Sequence, residues 1–178
     1  MIVDSVITGV LDENCYIISK DNECLVVDPG SDYPLIKEKI GDKKVLGILI
    51  THSHFDHVGA LRNFLTKRSI KIYKRSMVDE NEEIEIGPFK FKCFYTPGHA
   101  VDQIAFYFEE NNSLFSGDFI FKESIGRCDL PGGNLKDMKE SIKVLKEFNN
   151  ETVIYPGHGE STTIGYELEN NNYIKELI

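Results

Sequence analysis

The chain has 178 residues, 41% hydrophobic and 28% charged, the proportions of a water-soluble globular protein, and one domain over 1–178 is expected. A formal net charge of -9 excludes the basic surface that non-specific nucleic-acid or anionic-membrane binding requires. No apolar run approaches the roughly 20 residues that span a bilayer.

The N-terminus, Met1-Ile2-Val3-Asp4-Ser5, lacks the basic region and long apolar stretch of a secretory signal, so the expected location is the cytoplasm. Short strands are expected over 3–10, 15–19 and 24–28, separated by polar turn residues. A helix over 33–40 is stopped by Gly41, and the continuous apolar run 45–50 reads as a buried strand. An amphipathic helix with Val58, Leu61 and Leu65 on one face follows a cluster of histidines. Phe89, Phe91 and Cys93 alternate with Lys90 and Lys92, the period of a half-exposed strand. A hairpin is expected from 104–108 to 113–116, a helix over 135–148, a short strand over 153–155 and a last helix over 164–177. In the 135–148 helix, Leu135, Met138, Ile142, Leu145 and Phe148 fall at spacings of three and four. Such a mixture predicts an α/β (α+β) fold with helices covering sheets. The four cysteines, Cys15, Cys24, Cys93 and Cys128, form no C-x-x-C pair and are expected to be reduced, with Cys24 and Cys93 buried structural thiols in strand-like apolar runs.

All five histidines fall in two kinds of local sequence. His52, His54 and His57 lie within six positions, with Asp56 among them. The other two sit in Thr96-Pro97-Gly98-His99 and Tyr155-Pro156-Gly157-His158. A lone histidine is usually a surface or core residue, and Pro-Gly-His is by itself only a turn. Three imidazoles and a carboxylate this close compete for solvation unless a cation holds them, and neutral imidazole and carboxylate are ligands of divalent metals. His52 and His54, two residues apart at a strand end, project to one side, whereas Ser53 and Phe55 point the other way, Phe55 toward the core. Asp56 falls where the helix begins, so a helix N-cap is its alternative role.

H-x-H-x-D-H after a buried strand, a distant P-G-H, a G-D after a strand and a last P-G-H resemble, in that order, the metallo-β-lactamase superfamily. The resemblance implies an αββα sandwich with two divalent metal ions at one edge, zinc first, with iron or manganese as alternatives. It further implies that His52, His54 and His99 bind the first metal, that Asp56, His57 and His158 bind the second, and that Asp118 bridges them. Asp28, in Val27-Asp28-Pro29-Gly30, matches a position that orients a ligand, with a plain turn residue as the equal alternative.

Gly117-Asp118-Phe119-Ile120-Phe121 and the stretch from Ile125 to Gly133 are similar to the glyoxalase II-like branch, as is Asn14-x-Tyr16. Arg127 and Asp129 are expected to pin their loop as an ion pair, with substrate binding as the lesser alternative. The C-terminal helical domain with which that branch grips glutathione is not expected in this chain.

The resemblance implies hydroxide attack on a thioester or related ester of a small-molecule substrate, with Asp56 and Asp118 as catalytic residues. A mononuclear iron, persulfide dioxygenase-like oxidoreductase is the main alternative; a lactonase and a non-catalytic metal-binding module rank below it. A secreted β-lactamase would need an export signal, and a nuclease basic surface. A flavodiiron-type reductase would carry glutamate where His54 stands. Nothing in the patterning specifies an oligomeric state.

Overall fold

Strand alternation assigns the layers. The computed structural model describes residues 1–65 and 70–178. Its first sheet is built from β1 (Ile2–Thr8), β2 (Glu13–Lys20), β3 (Glu23–Val27), β4 (Lys44–Leu49) and β5 (Lys71–Tyr73), in that spatial order. Tyr16, Ile18, Leu25, Val27 and Leu49 face inward, while Cys15, Ile17, Cys24, Val26 and Ile48 face out. The outer face is covered by α1 (Tyr33–Ile40) and by the short helical segments α2 (Phe55–Val58) and α3 (Leu61–Phe64). Because both faces are covered, residues 15–18 of β2 and 24–27 of β3 read as continuous apolar runs.

The second sheet is formed by β6 (Glu83–Ile86), β7 (Phe89–Tyr95), β8 (Ile104–Phe108), β9 (Ser113–Gly117), β12 (Val153–Pro156) and β13 (Thr162–Thr163), ordered β13-β12-β9-β8-β7-β6. A small hairpin, β10 (Ile120–Phe121) and β11 (Ser124–Ile125), lies outside it. Phe89, Phe91, Cys93, Phe106 and Phe115 of this sheet meet the inner residues of the first. Its other face packs under α4 (Leu135–Ile142), α5 (Ile164–Asn170) and α6 (Asn172–Leu177). The four layers make an αββα sandwich. Among the described residues no helix is long and apolar enough to cross a membrane.

Strands β3 and β4 run parallel, as do β9 and β12, and two antiparallel steps make β7 parallel to β9. Each of these strands hands its C-terminal residue to a loop at one edge of the sandwich. Asp28, His52, His99, Asp118 and His158 follow those ends.

Several expected helices are cut shorter. Residues 135–148 form an α-helix only to Ile142, followed by a 3-10 turn over Lys143–Glu147. Ile142, Leu145 and Phe148 are three apart, a spacing that a 3-10 turn aligns on one face, and all three are buried, whereas Leu135 is exposed. The amphipathic helix after the histidines is two single turns. Val58 and Leu61 pack on the outer core as expected, but Phe64 is buried there and Leu65 is exposed. Phe55 is 72% exposed rather than in the core, because the helical turn starts at that residue and ends the strand alternation. The first strand stops at Thr8, where Gly9 turns with φ 68°.

The last helix is interrupted at Asn171. Its side-chain oxygen caps α6 by accepting from the Tyr173 and Ile174 amides, and its Nδ2 donates to Ser124 O (2.9 Å) and Glu167 Oε2 (2.8 Å). Glu167 is fully buried and also accepts from Thr162 Oγ1 (2.6 Å) and the Glu123 amide (2.9 Å). Asn171→Ala removes a cap and strips partners from a buried carboxylate, a loss of about 2–3 kcal/mol. Denaturant unfolding checks this, and an unchanged midpoint would mean that Asn171 only marks the helix break.

Candidate metal centre

His52, His57 and His99 are almost completely buried, and the five imidazoles gather at the edge described above. The His52 ring centroid lies 4.1 Å from that of His57, 4.5 Å from His54 and 5.0 Å from His99. Potential ligand atoms of His52, His54 and His99 lie within 4.8 Å of one another, as do those of Asp56, His57 and His158. Asp118 stands between these groups. Its Oδ1 is 3.3 Å from His57 Nε2, and its Oδ2 is 3.5 Å from His99 Nε2 and 3.6 Å from His158 Nε2. Every residue expected at the site is therefore brought together. The N-cap alternative for Asp56 is not realised, since the N-cap position of α2 is His54.

The other ring nitrogens decide what this cluster can do. His57 Nδ1 is 2.9 Å from Asp28 Oδ2, His99 Nδ1 is 2.9 Å from Arg127 O, and His158 Nδ1 is 3.0 Å from Leu11 O. Carboxylates and carbonyls only accept, so these three Nδ1 atoms carry protons. The Thr51 hydroxyl donates to Asp28 Oδ2 (2.6 Å), which leaves its oxygen to accept from His52 Nδ1 (3.1 Å). With their Nδ1 atoms so engaged, four rings aim Nε2 into the cluster, and His54 Nδ1 lies 2.9 Å from His99 Nε2. Buried His52 Nε2, His57 Nε2 and Asp118 Oδ1 have no hydrogen-bond partner. Such atoms are costly to bury unless something binds them, and nitrogen and carboxylate donors in this arrangement fit divalent cations.

Protons compete for the same atoms. Burial lowers the His52 pKa to about 2, and it lowers that of His99 as well. Burial also opposes charge on His57, but the carboxylates of Asp118 and Asp28 outweigh it and raise that ring well above the ordinary value. Burial would raise Asp118, yet the neighbouring His57 holds its carboxyl at about 2.

The backbone is shaped around these contacts. Asp28 adopts a left-handed conformation, φ 46°, and its Oδ1 accepts the Thr51 amide at 2.8 Å. Of its two expected roles, the orienting one is therefore realised. The Asn14 amide donates to Gly157 O (2.7 Å), Asn14 Nδ2 to Pro156 O (3.1 Å) and Gly159 O (2.9 Å), and Tyr16 Oη to Pro156 O (2.6 Å). The Asn-x-Tyr pair thereby clamps the corner that carries His158. A Cβ on Gly157 would stand 2.2 Å from Asp118 Oδ1 and 2.7 Å from His57 Cε1, so only glycine fits that corner. Arg127 and Asp129 pair in a bidentate fork at 2.8 and 2.7 Å, as expected.

Glu13 went unrecognised in the sequence, where it falls among polar turn residues. It is fully buried beneath the cluster. Oε2 accepts from Thr8 Oγ1 at 2.7 Å, and Oε1, 4.0 Å from His57 Nδ1, has no hydrogen-bond partner. Burial, then the charge of Asp28, raise its pKa to about 9. The folded chain therefore keeps this acid protonated while the unfolded chain ionises it. The resulting destabilisation is absent below pH 4.5 and grows as pH rises toward about 9. In chelator-treated protein, Glu13→Gln should gain stability over wild type as pH rises from 5 to 8, by up to about 3 kcal/mol at pH 7, read in denaturant unfolding at each pH. A pH-independent difference would mean that Glu13 is ionised in the folded chain.

The sequence profile of the metallo-beta-lactamase superfamily matches residues 8–84 and 70–158. The chain is 30% identical to the probable metallo-hydrolase YqgX of Bacillus subtilis, over 93% of this chain and 94% of that one. It is 28% identical to the hydroxyacylglutathione hydrolase GloC of Haemophilus influenzae, over 91% and 92%. Among solved structures, the BLEG-1 B3 metallo-beta-lactamase superposes with a TM-score of 0.87 at 30% identity, covering 97% of this chain and 99% of that one. The di-iron-bound form of TTHA1623 does so at 0.80 and 30%, covering 96% and 99%. With its αββα layers and its histidine-aspartate edge, the chain belongs to the metallo-beta-lactamase superfamily.

Proposed function

We propose that this chain is a dinuclear metal-dependent hydrolase that cleaves a thioester or related ester, of the glyoxalase II-like kind. The ring orientation carries this reading: four rings engage protein acceptors through Nδ1 and aim Nε2 at one cluster around a shared carboxylate. His52, His54 and His99 would hold one cation, Asp56, His57 and His158 the other, with Asp118 common to both. Zinc suits the nitrogen and oxygen donors, and the di-iron form of a 30% identical relative makes iron the alternative. The name of GloC, a relative over nearly its whole length, supports thioester chemistry.

Bound divalent cations supply a water activated near neutral pH and a Lewis acid for the carbonyl oxygen. The chain's own groups position the reaction. Asp56 faces the cleft, where its carboxylate orients the attacking water and takes its proton. Asp118 fixes the separation of the two half-sites, and Asp28 holds His57 directly and His52 through Thr51. The water oxygen bonds to the acyl carbon, the carbon–sulfur bond breaks, and the sulfur leaves with the electron pair and regains the proton. A thiolate is a good leaving group, so the absence of a strong general acid among the described cleft residues suits a thioester.

Metal analysis tests the ligand assignment. Asp118→Ala should deplete both metals and His158→Ala chiefly one. Asp28→Asn should weaken both half-sites by about 10–100-fold, and Thr51→Val only the one containing His52. Full stoichiometry in all four variants would refute it.

Activity tests the reaction. Protein carrying two zinc ions should hydrolyse a thioester, lose that activity to a chelator and regain it with zinc. One iron per chain with oxygen uptake on a persulfide would replace this reading by a mononuclear dioxygenase. Cleavage of a β-lactam alone would make the chain a lactamase, and turnover of no activated ester would make it a metal-binding module.

A further inference from the structure

The cleft in front of the imidazoles has a volume of about 730 Å³, and its walls differ from its floor. His54, Asp56, His99, Asp118 and His158 form the floor. The walls are mostly apolar, Leu11, Phe55, Phe121, Ile125, Leu130 and Pro131, with Ser124 and Arg127 among them. They come from three stretches of chain, at Leu11, at Phe55 and over 121–131, so the apolar character is not the by-product of one buried segment. Phe55 and Leu11 are 72% and 49% exposed, a solvation cost that folding does nothing to relieve. Phe121 stands edge-on to His158, with ring centroids 6.1 Å apart, so the apolar wall begins where the floor ends.

Charge narrows the choice further. Among the described residues lining the cleft, Arg127 carries the one basic side chain besides the histidines, and its charge is paired with Asp129 through Nε and Nη2. Among the described residues the walls present no unpaired cation to a carboxylate or phosphate. Carrier thiols bear such groups, so the half of a thioester that these walls recognise is the acyl half.

We infer that this cleft selects substrates by an uncharged, extended apolar acyl group laid against Leu11, Phe121, Ile125 and Leu130, and does not select for glutathione. The inference rests on the hydrolase reading for its scissile bond and deepens it by naming the substrate class. Burial of methylenes on such a wall strengthens binding of substrate and transition state alike, so kcat/KM is the quantity that responds.

The experiment uses the full chain loaded with zinc and two parallel series of probes. The first is S-acyl N-acetylcysteamine from acetyl to octanoyl, with S-lactoylglutathione alongside. The second is the matching S-alkyl thioethers, which cannot be hydrolysed, with binding measured by calorimetry. In the first series, kcat/KM should rise by about two- to fourfold per methylene until the walls are filled, with S-lactoylglutathione below the longer esters. The thioethers should tighten in parallel. Leu130→Ser should flatten both slopes, while Leu35→Ser, on the distant helix α1, should leave them unchanged.

Hydrolysis that ignores chain length, or that favours S-lactoylglutathione, overturns the inference while the hydrolase reading stands. Thioethers that tighten with length while no ester is cleaved leave apolar recognition intact and refute the hydrolase reading. Thioether binding with no length dependence overturns the inference whatever is cleaved.

Discussion

The buried carboxylate of Asp28 is the contact on which the rest of the edge depends. One of its oxygens takes the Thr51 amide, and the other takes both the Thr51 hydroxyl and the Nδ1 proton of His57. Through Thr51 it also fixes the proton of His52. A single charge therefore sets ring orientation and tautomer in both halves of the cluster, and it does so where the dielectric is low and each bond is strong. The surroundings bear the cost of that burial. Asp28 takes a left-handed backbone, and Glu13 beneath it stays protonated so that two like charges do not face each other.

Much of this was legible in the sequence because the chemistry and the local geometry share the same residues. The alternation Phe89, Phe91, Cys93 gave a strand, and the run 45–50 gave the buried strand that delivers His52. The His-x-His-x-Asp-His cluster, the Gly-Asp pair and the two Pro-Gly-His corners named His52, His54, Asp56, His57, His99, Asp118 and His158, which the fold gathers at one edge. Asp28 stayed undecided between a turn and an orienting role, since only the positions of Thr51 and His57 in space distinguish them.

Other features had no local signal. Glu13 lies among polar residues that read as a turn, and its burial follows from His158 and Gly157 arriving from the far end of the chain. Phe55 is apolar and next to a strand end, which favours a core position, yet the chain turns there and sends it to the cleft mouth. The break at Asn171 is a tertiary effect, because that side chain meets Ser124 and Glu167 as well as capping α6. Helix periodicity is blind to such partners.

The clamp of Asn14 and Tyr16 on residues 156–159 has a kinetic consequence. Its side-chain hydrogen bonds join residues 140 to 145 positions apart, nearly the whole length of the chain. Closing so long a loop is slow compared with forming the local turns of the first sheet. Residues 52–57 can thus be made and partly folded on the ribosome long before residues 156–159 emerge. Until those residues dock, His57 and Glu13 lack the backbone that covers them, and the edge is open to solvent. Assembly of the cluster is in this way a checkpoint on completion of the fold, reached only when the last strand-end loop meets the first hairpin.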